Sequence, residues 1–140
     1  MTDRAFFDTN ILVYLFDTRD SQKRAVARQL LGRYFSEKRG VLSTQVLQEF
    51  FVNVTRKAAQ LSSNEARAIV ANFLQVDVVV VSGSHILNAI DLHQRYQLSF
   101  WDGLILAAAK AGGASILFSE DLSHGRVYDG VRVENPFLIR

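Results

Sequence analysis

Short apolar runs alternate with longer stretches of helical periodicity from one end of this chain to the other. That alternation is the mark of βαβ units, and such units build a mostly parallel sheet with helices packed on its faces. Ala5-Phe6-Phe7 reads as the first strand, with Asp8-Thr9-Asn10 opening a short apolar helix over Ile11–Phe16. Asp20 or Ser21 caps a second helix that runs to about Glu37, and Arg39-Gly40 ends it. Val41-Leu42-Ser43 is the second strand, and Thr44 caps a helix predicted through about Ala59. Ser62 and Glu65 have capping-box spacing for a helix over Asn64–Leu74. Val76–Val81 is apolar and β-branched, which predicts a buried third strand. Ser82 or Ser84 starts a helix to about Tyr96, and Ser99 with Asp102 repeats the capping-box spacing before Gly103–Ala111. That last helix is apolar nearly all round, so it belongs in the interior. Ser115–Phe118 is a fourth strand, and Val131-Arg132-Val133 is a candidate fifth. The expected fold is therefore α/β, with a central, mostly parallel sheet of four to five strands in one domain spanning residues 1–140.

In open parallel sheets, ligands bind in the crevice beyond the carboxyl ends of the strands. Four acids fall there: Asp8 directly after strand one, Asp121 shortly after strand four, Glu49 about a turn into the helix after strand two, and Asp102 in the first turn of a later helix. Each has an ordinary reading by itself. Asp8 is a normal N-cap, and Glu49 reads as a solvated helix residue bordering the core. Asp102 suits the helix dipole, and Asp121 reads as a turn residue. Their shared placement is what singles them out. Two carboxylates 4 Å apart repel by about 4 kcal/mol at an effective dielectric near 20. A cluster of four persists only if it is protonated or holds a cation. Oxygen-only donors suit Mg²⁺ or Mn²⁺.

The same residues carry a resemblance to a known family. Asp8-Thr9-Asn10-Ile11-Leu12-Val13-Tyr14 resembles the opening motif of the PIN-domain nucleases, the VapC-type toxins above all. Glu49 within Gln48-Glu49-Phe50 resembles the second acid, Ser99-Phe100-Trp101-Asp102-Gly103-Leu104-Ile105 the third motif, and Ser119-Glu120-Asp121-Leu122 the fourth. The matches stand in family order over residues 8 to about 125. The resemblance implies a three-layer α/β/α fold and divalent-metal-dependent hydrolysis of RNA phosphodiesters by an endoribonuclease, with a 5′-phosphate product. Asp8, Asp102 and Asp121 would then ligate the metal directly, and Glu49 directly or through water. Thr9, Asn10 and Ser119 would orient carboxylates or hold metal-bound waters; helix capping is their plain alternative. One departure from the family pattern concerns the acid many members carry two residues after the fourth-motif Asp. Here Ser123 and His124 occupy that stretch, which leaves open whether one or two metals bind. Strand alternation turns Glu120 away from Asp121.

The resemblance also implies a toxin–antitoxin pair. The partner would be a cognate antitoxin that wraps the acidic groove, with an arginine as a natural plug for the carboxylates. It implies a homodimer as well, with Phe50-Phe51 and Ile69–Leu74 as a possible face. Two other readings stay open: a PIN nuclease of RNA processing, and an inert RNA- or protein-binding module. Charge is compatible with an RNA substrate. The formal net charge is only +2, but setting the four candidate ligands aside leaves 10 acids against 16 basic residues. Lys23, Arg24 and Arg28 share one helix, and Lys38-Arg39 and Arg56-Lys57 end two others. No ladder of interleaved aromatic and basic residues predicts single-strand stacking. His85 and His93 lack metal-motif spacing, and His124 lies on a loop near the expected site. The absence of cysteine excludes thiolate metal sites and agrees with a cytoplasmic location. No signal-peptide pattern or membrane-length apolar run is present.

Overall fold

The computed structural model describes residues 3–56 and 61–138. Six strands form one sheet in the order β3-β2-β1-β4-β6-β5. They are β1 (Ala5–Phe7), β2 (Gly40–Ser43), β3 (Asp77–Val79), β4 (Ile116–Phe118), β5 (Val127–Tyr128) and β6 (Val131–Glu134). The helices are α1 (Thr9–Tyr14), α2 (Ser21–Ser36), α3 (Thr44–Thr55), α4 (Ser63–Phe73), α5 (Gly83–Tyr96) and α6 (Phe100–Ala111). The helix predicted to reach about Ala59 ends at Thr55, with Arg56 extended as its C-cap; positions 57–59 lie outside the described residues.

β1 pairs in parallel with both β2 and β4, so the sequence runs outward from the centre to β2 and β3, then returns to the other side of β1. This reversal makes the β1–β4 boundary the topological switch point, where a crevice opens beyond the strand ends. Register assigns the two faces. Phe7 lies opposite Phe118, and their rings stack at 5.3 Å with Tyr34 and Phe35 of α2 against them. On the other face, Val41 and Val79 approach Gly112 at the end of α6, where an added Cβ would meet Val41 at 2.5 Å. Helices thus cover both faces, giving the three-layer α/β/α arrangement. The predicted apolar helix is α6, buried continuously from Gly103 to Ala109.

Gly103 fixes how closely α5 and α6 approach, because a Cβ there would sit 2.6 Å from the Ala89 carbonyl oxygen. Backbone is what it would strike, and backbone cannot rotate away. Gly103→Ala is expected to destabilise the fold by about 1–3 kcal/mol, read as a lower midpoint in urea unfolding with an unchanged slope.

Two strand expectations need correction. The run over 76–81 forms only three residues of strand, and β3 is an exposed edge rather than a buried strand. Asp77 is exposed and pairs with Arg4 at 2.7 Å, and Val80 is 70% exposed. β-branched apolar composition reads alike for a central strand and for an edge. The sheet also has six strands rather than four to five. β5 and β6 form an antiparallel hairpin whose two turn residues, Asp129 and Gly130, both have positive φ (50° and 87°). Asp-Gly between Val127-Tyr128 and the alternating Val131-Arg132-Val133 is the sequence signal of such a turn.

Candidate active site

The site begins at the end of β1. Asp8 donates its backbone N–H to the Phe118 carbonyl of β4 at 2.9 Å, so the first acid is locked beside the strand that delivers the fourth. Asp8 also caps α1, accepting from the Thr9 N–H at 2.8 Å. The ordinary N-cap role therefore holds, in a carboxylate that also lines a pocket. Its second oxygen accepts from the Ser119 hydroxyl at 2.8 Å, and that hydroxyl accepts in turn from the Asp121 N–H at 3.1 Å. Ser119 thereby ties the first acid to the segment carrying the fourth.

Glu49 projects from α3 and is gripped on both oxygens. The Thr9 hydroxyl donates to Oε1 at 2.6 Å, and the Gln45 amide donates to Oε2 at 3.1 Å. Asp102 stands in the first turn of α6, its N–H capped by the Ser99 hydroxyl at 3.1 Å. Asp8, Glu49, Asp102 and Asp121 line one pocket of about 470 Å³, together with Thr9, Asn10 and Gln45. The seventh predicted position, Ser119, is fully buried behind it.

Electrostatics record the crowding. Burial pushes the Asp8 carboxyl up to about 6; the hydrogen bonds from Ser119 and Thr9 oppose this, and the charges of Asp121 and Glu49 add to it. Asp102 is also raised, first by burial and then by the same two carboxylates, with Ser99 working against the shift. Among the described residues no lysine or arginine forms an ion pair with any of the four acids.

The donor set fits a hard divalent cation. Besides the four carboxylates, the pocket is lined by Asn10 and Gln45, whose Oδ1 and Oε1 are buried without a hydrogen-bond partner. Orphaned buried acceptors are costly, and a cation or its water shell would satisfy them. Among the described residues no three acidic or histidine side chains are grouped tightly enough to hold an ion as they stand, so binding would draw the carboxylates inward.

Several neighbouring residues have other work. Glu120 turns away, as alternation predicts, and pairs with Lys23 while accepting from the Tyr14 hydroxyl at 2.7 Å. Lys23 is therefore engaged at the base of the Asp121 segment. His85 accepts from the Ser82 N–H at 3.1 Å, and His124 accepts from the Asn135 N–H at 3.0 Å. His93 shares a hydrogen bond with the Leu98 carbonyl. Phe50 is fully buried against Phe16 and Phe73, so it belongs to the core rather than to a partner-facing surface. Phe51, Val52 and Leu74 stay exposed along an apolar groove between α3 and α4. Lys57 lies outside the described residues.

The pocket is also lined by polar and aromatic residues that the sequence did not single out, among them Asp17, Arg19, Gln45, Asn53 and Trp101. Gln45 stands four residues before Glu49 on one helix face, and that spacing is a legible signal. Arg19 lies in a loop, and nothing local marks it.

A crevice at the switch point of a parallel sheet, lined by four acids that have no ion-pair partner among the described residues, defines a class of α/β protein built around a carboxylate centre. The chain belongs to the PIN domain family, whose pattern matches residues 5–130. No curated protein sequence matches it. Its fold is similar to that of a chain in a toxin-antitoxin complex from Klebsiella pneumoniae, at 22% identity and a TM-score of 0.69, covering 94% of this chain and 97% of that one. VapC20 of Mycobacterium tuberculosis, described as a sarcin-ricin loop cleaving toxin, aligns at 20% identity and a TM-score of 0.63, over 84% and 89% of the two chains. A chain of DNA-bound VapBC from Salmonella typhimurium aligns at 16% identity and a TM-score of 0.68, over 96% and 99%.

Proposed function

We propose that this protein is a divalent-metal-dependent endoribonuclease and the toxin of a toxin–antitoxin pair. The observation that carries the reading is the convergence of Asp8, Glu49, Asp102 and Asp121 on one pocket without a basic partner among the described residues. Membership of the PIN domain family supports nuclease chemistry. The sarcin-ricin loop cleaving neighbour supports RNA as the substrate, and the toxin-antitoxin complexes among the fold neighbours support an antitoxin partner. A homodimer belongs to the same reading, with the groove beside Phe51 and Leu74 as an available face.

In this reading Asp8, Asp102 and Asp121 hold Mg²⁺ or Mn²⁺ directly, and Glu49 does so directly or through water. When bound, the ion would make water a better nucleophile and offset charge developing on the phosphate. The protein's own part is orientation. Ser119 fixes the rotation of the Asp8 carboxylate and the position of the Asp121 backbone through one hydroxyl. Thr9 and Gln45 clamp Glu49 between them. Asn10 and Gln45 line the pocket and each has a buried side-chain carbonyl oxygen without a partner, which waters entering with the ion could satisfy after a small side-chain shift.

Two experiments test this. Wild-type protein is expected to cut structured RNA in Mn²⁺, while Asp102→Asn, folded by circular dichroism, does not; equal cutting by the variant would reject the site. Thr9→Val keeps the side-chain shape but removes the donor to Glu49. It is expected to lower cleavage by about 10- to 100-fold with little change in unfolding midpoint. Wild-type rates in Thr9→Val would exclude any orienting role for that hydroxyl.

A further inference from the structure

Trp101 is the only tryptophan in the chain, and it is 62% exposed. A single exposed apolar side chain is ordinary, but this one lines the acidic pocket beside Asp102. Its mount is rigid. The ring meets Phe100 edge to face at 5.1 Å and 77°, and the Trp101 carbonyl accepts from the Gln45 amide at 3.4 Å, the same amide that holds Glu49. The following turns of α6 are buried. The indole touches Phe100 and is otherwise largely exposed, so ring surface is open to a ligand at the pocket.

Arg19 also lines this pocket, and it is the only basic residue among the described residues that do. Its guanidinium is braced by Asp17, whose Oδ1 accepts from Nε at 3.0 Å and whose Oδ2 accepts from Nη2 at 3.2 Å, while the Arg19 N–H binds the same carboxylate at 2.9 Å. Asp17 is buried, and the Arg19 side chain is 75% exposed. Nη1 has no partner among the described residues, so a pre-oriented cationic edge remains for an anion. Sequence gave no hint of this pair, because 82 positions separate residues 19 and 101.

We infer that the pocket mouth reads an unpaired nucleotide, whose base stacks on Trp101 while a neighbouring phosphodiester binds Arg19. This rests on the endoribonuclease reading and narrows it. The substrate would be RNA that is single-stranded at the cut, since a paired base has no free face for the indole. Stacking tolerates every base, so this contact selects for strandedness rather than sequence.

The test uses the full chain carrying Asp8→Asn to stop cleavage, titrated in Mg²⁺ with an unlabelled, unstructured oligoadenylate. Trp101 emission reports stacking without any added probe. Emission is expected to fall as RNA binds, with the midpoint found by calorimetry. Trp101→Ala in the same background is expected to weaken binding by about 5- to 150-fold, and Trp101→Phe by much less. An abasic strand of equal length should bind without quenching and should ignore Trp101→Ala. Arg19→Ala should weaken both strands and lower the salt slope by about one. Unchanged emission at saturating RNA, wild-type affinity in Trp101→Ala, or equal affinity for a blunt duplex would overturn the inference. Wild-type cleavage of RNA in Mn²⁺ would leave the nuclease reading standing in those cases. Wild-type protein that neither binds nor cuts any RNA would remove both.

Discussion

Asp8→Asn is expected to yield a protein that is more stable without metal and yet inactive. The carboxyl sits at about 6 in the folded state against an ordinary value of 3.8. Between those two values the native state holds more protons than the unfolded chain, so stability falls as pH rises through that window. Above about pH 6 the folded protein carries a buried charge it disfavours, at a cost of up to about 3 kcal/mol. Asparagine removes that charge. It keeps an oxygen for the Thr9 N–H and gives Ser119 a donor in place of an acceptor. Urea unfolding of metal-free protein should therefore show Asp8→Asn gaining most at pH 7.5 and little at pH 4. RNA cleavage in the same variant should drop by more than about 100-fold, since even outer partners of metal ligands cost 10- to 100-fold. A variant that is destabilised at pH 7.5 would show that the charge is already compensated by groups other than an ion.

The second large effect is the response to divalent cations. An ion that binds only the folded state adds about 2.7 kcal/mol at a concentration 100 times its dissociation constant. Here the gain should depend on pH, because Asp8 and Asp102 are both raised and must shed protons to ligate. Mn²⁺ is expected to raise the melting temperature at pH 7.5 and to lose most of that effect below pH 6. Asp102→Asn should lose it at every pH. A shift of equal size at pH 5 and pH 7.5, or one retained by Asp102→Asn, would place the binding ion elsewhere.

How far the sequence carried depended on whether a signal was local. Ala5–Phe7 with Asp8, and Ile116–Phe118 with Ser119 and Asp121, are short apolar strands followed at once by polar residues. Each strand and the candidate residues at its end were therefore legible together. Ser62 with Glu65 was legible as a capping box, and both of its hydrogen bonds form. The exposure of β3 was not legible, because only sheet order reveals that it has one neighbour. Asp129-Gly130 was a readable hairpin signal, and β5 was missed because two residues carry little periodicity. Trp101 stands beside Asp102 in the sequence and reads only as one of its apolar neighbours; its exposure at the pocket follows from how α6 begins, not from any local pattern. The pairing of Arg19 with the pocket depends on a loop conformation that no spacing rule encodes.

The proposed function requires four separate elements to bring their carboxylates to one divalent ion. The most direct measurement is an anomalous difference map from crystals soaked in Mn²⁺ at pH 7.5. The expected result is a strong peak in the pocket within about 2.0–2.4 Å of oxygens from Asp8, Asp102 and Asp121. A fully soaked crystal with no peak among these side chains, or with its manganese on other residues, would contradict it.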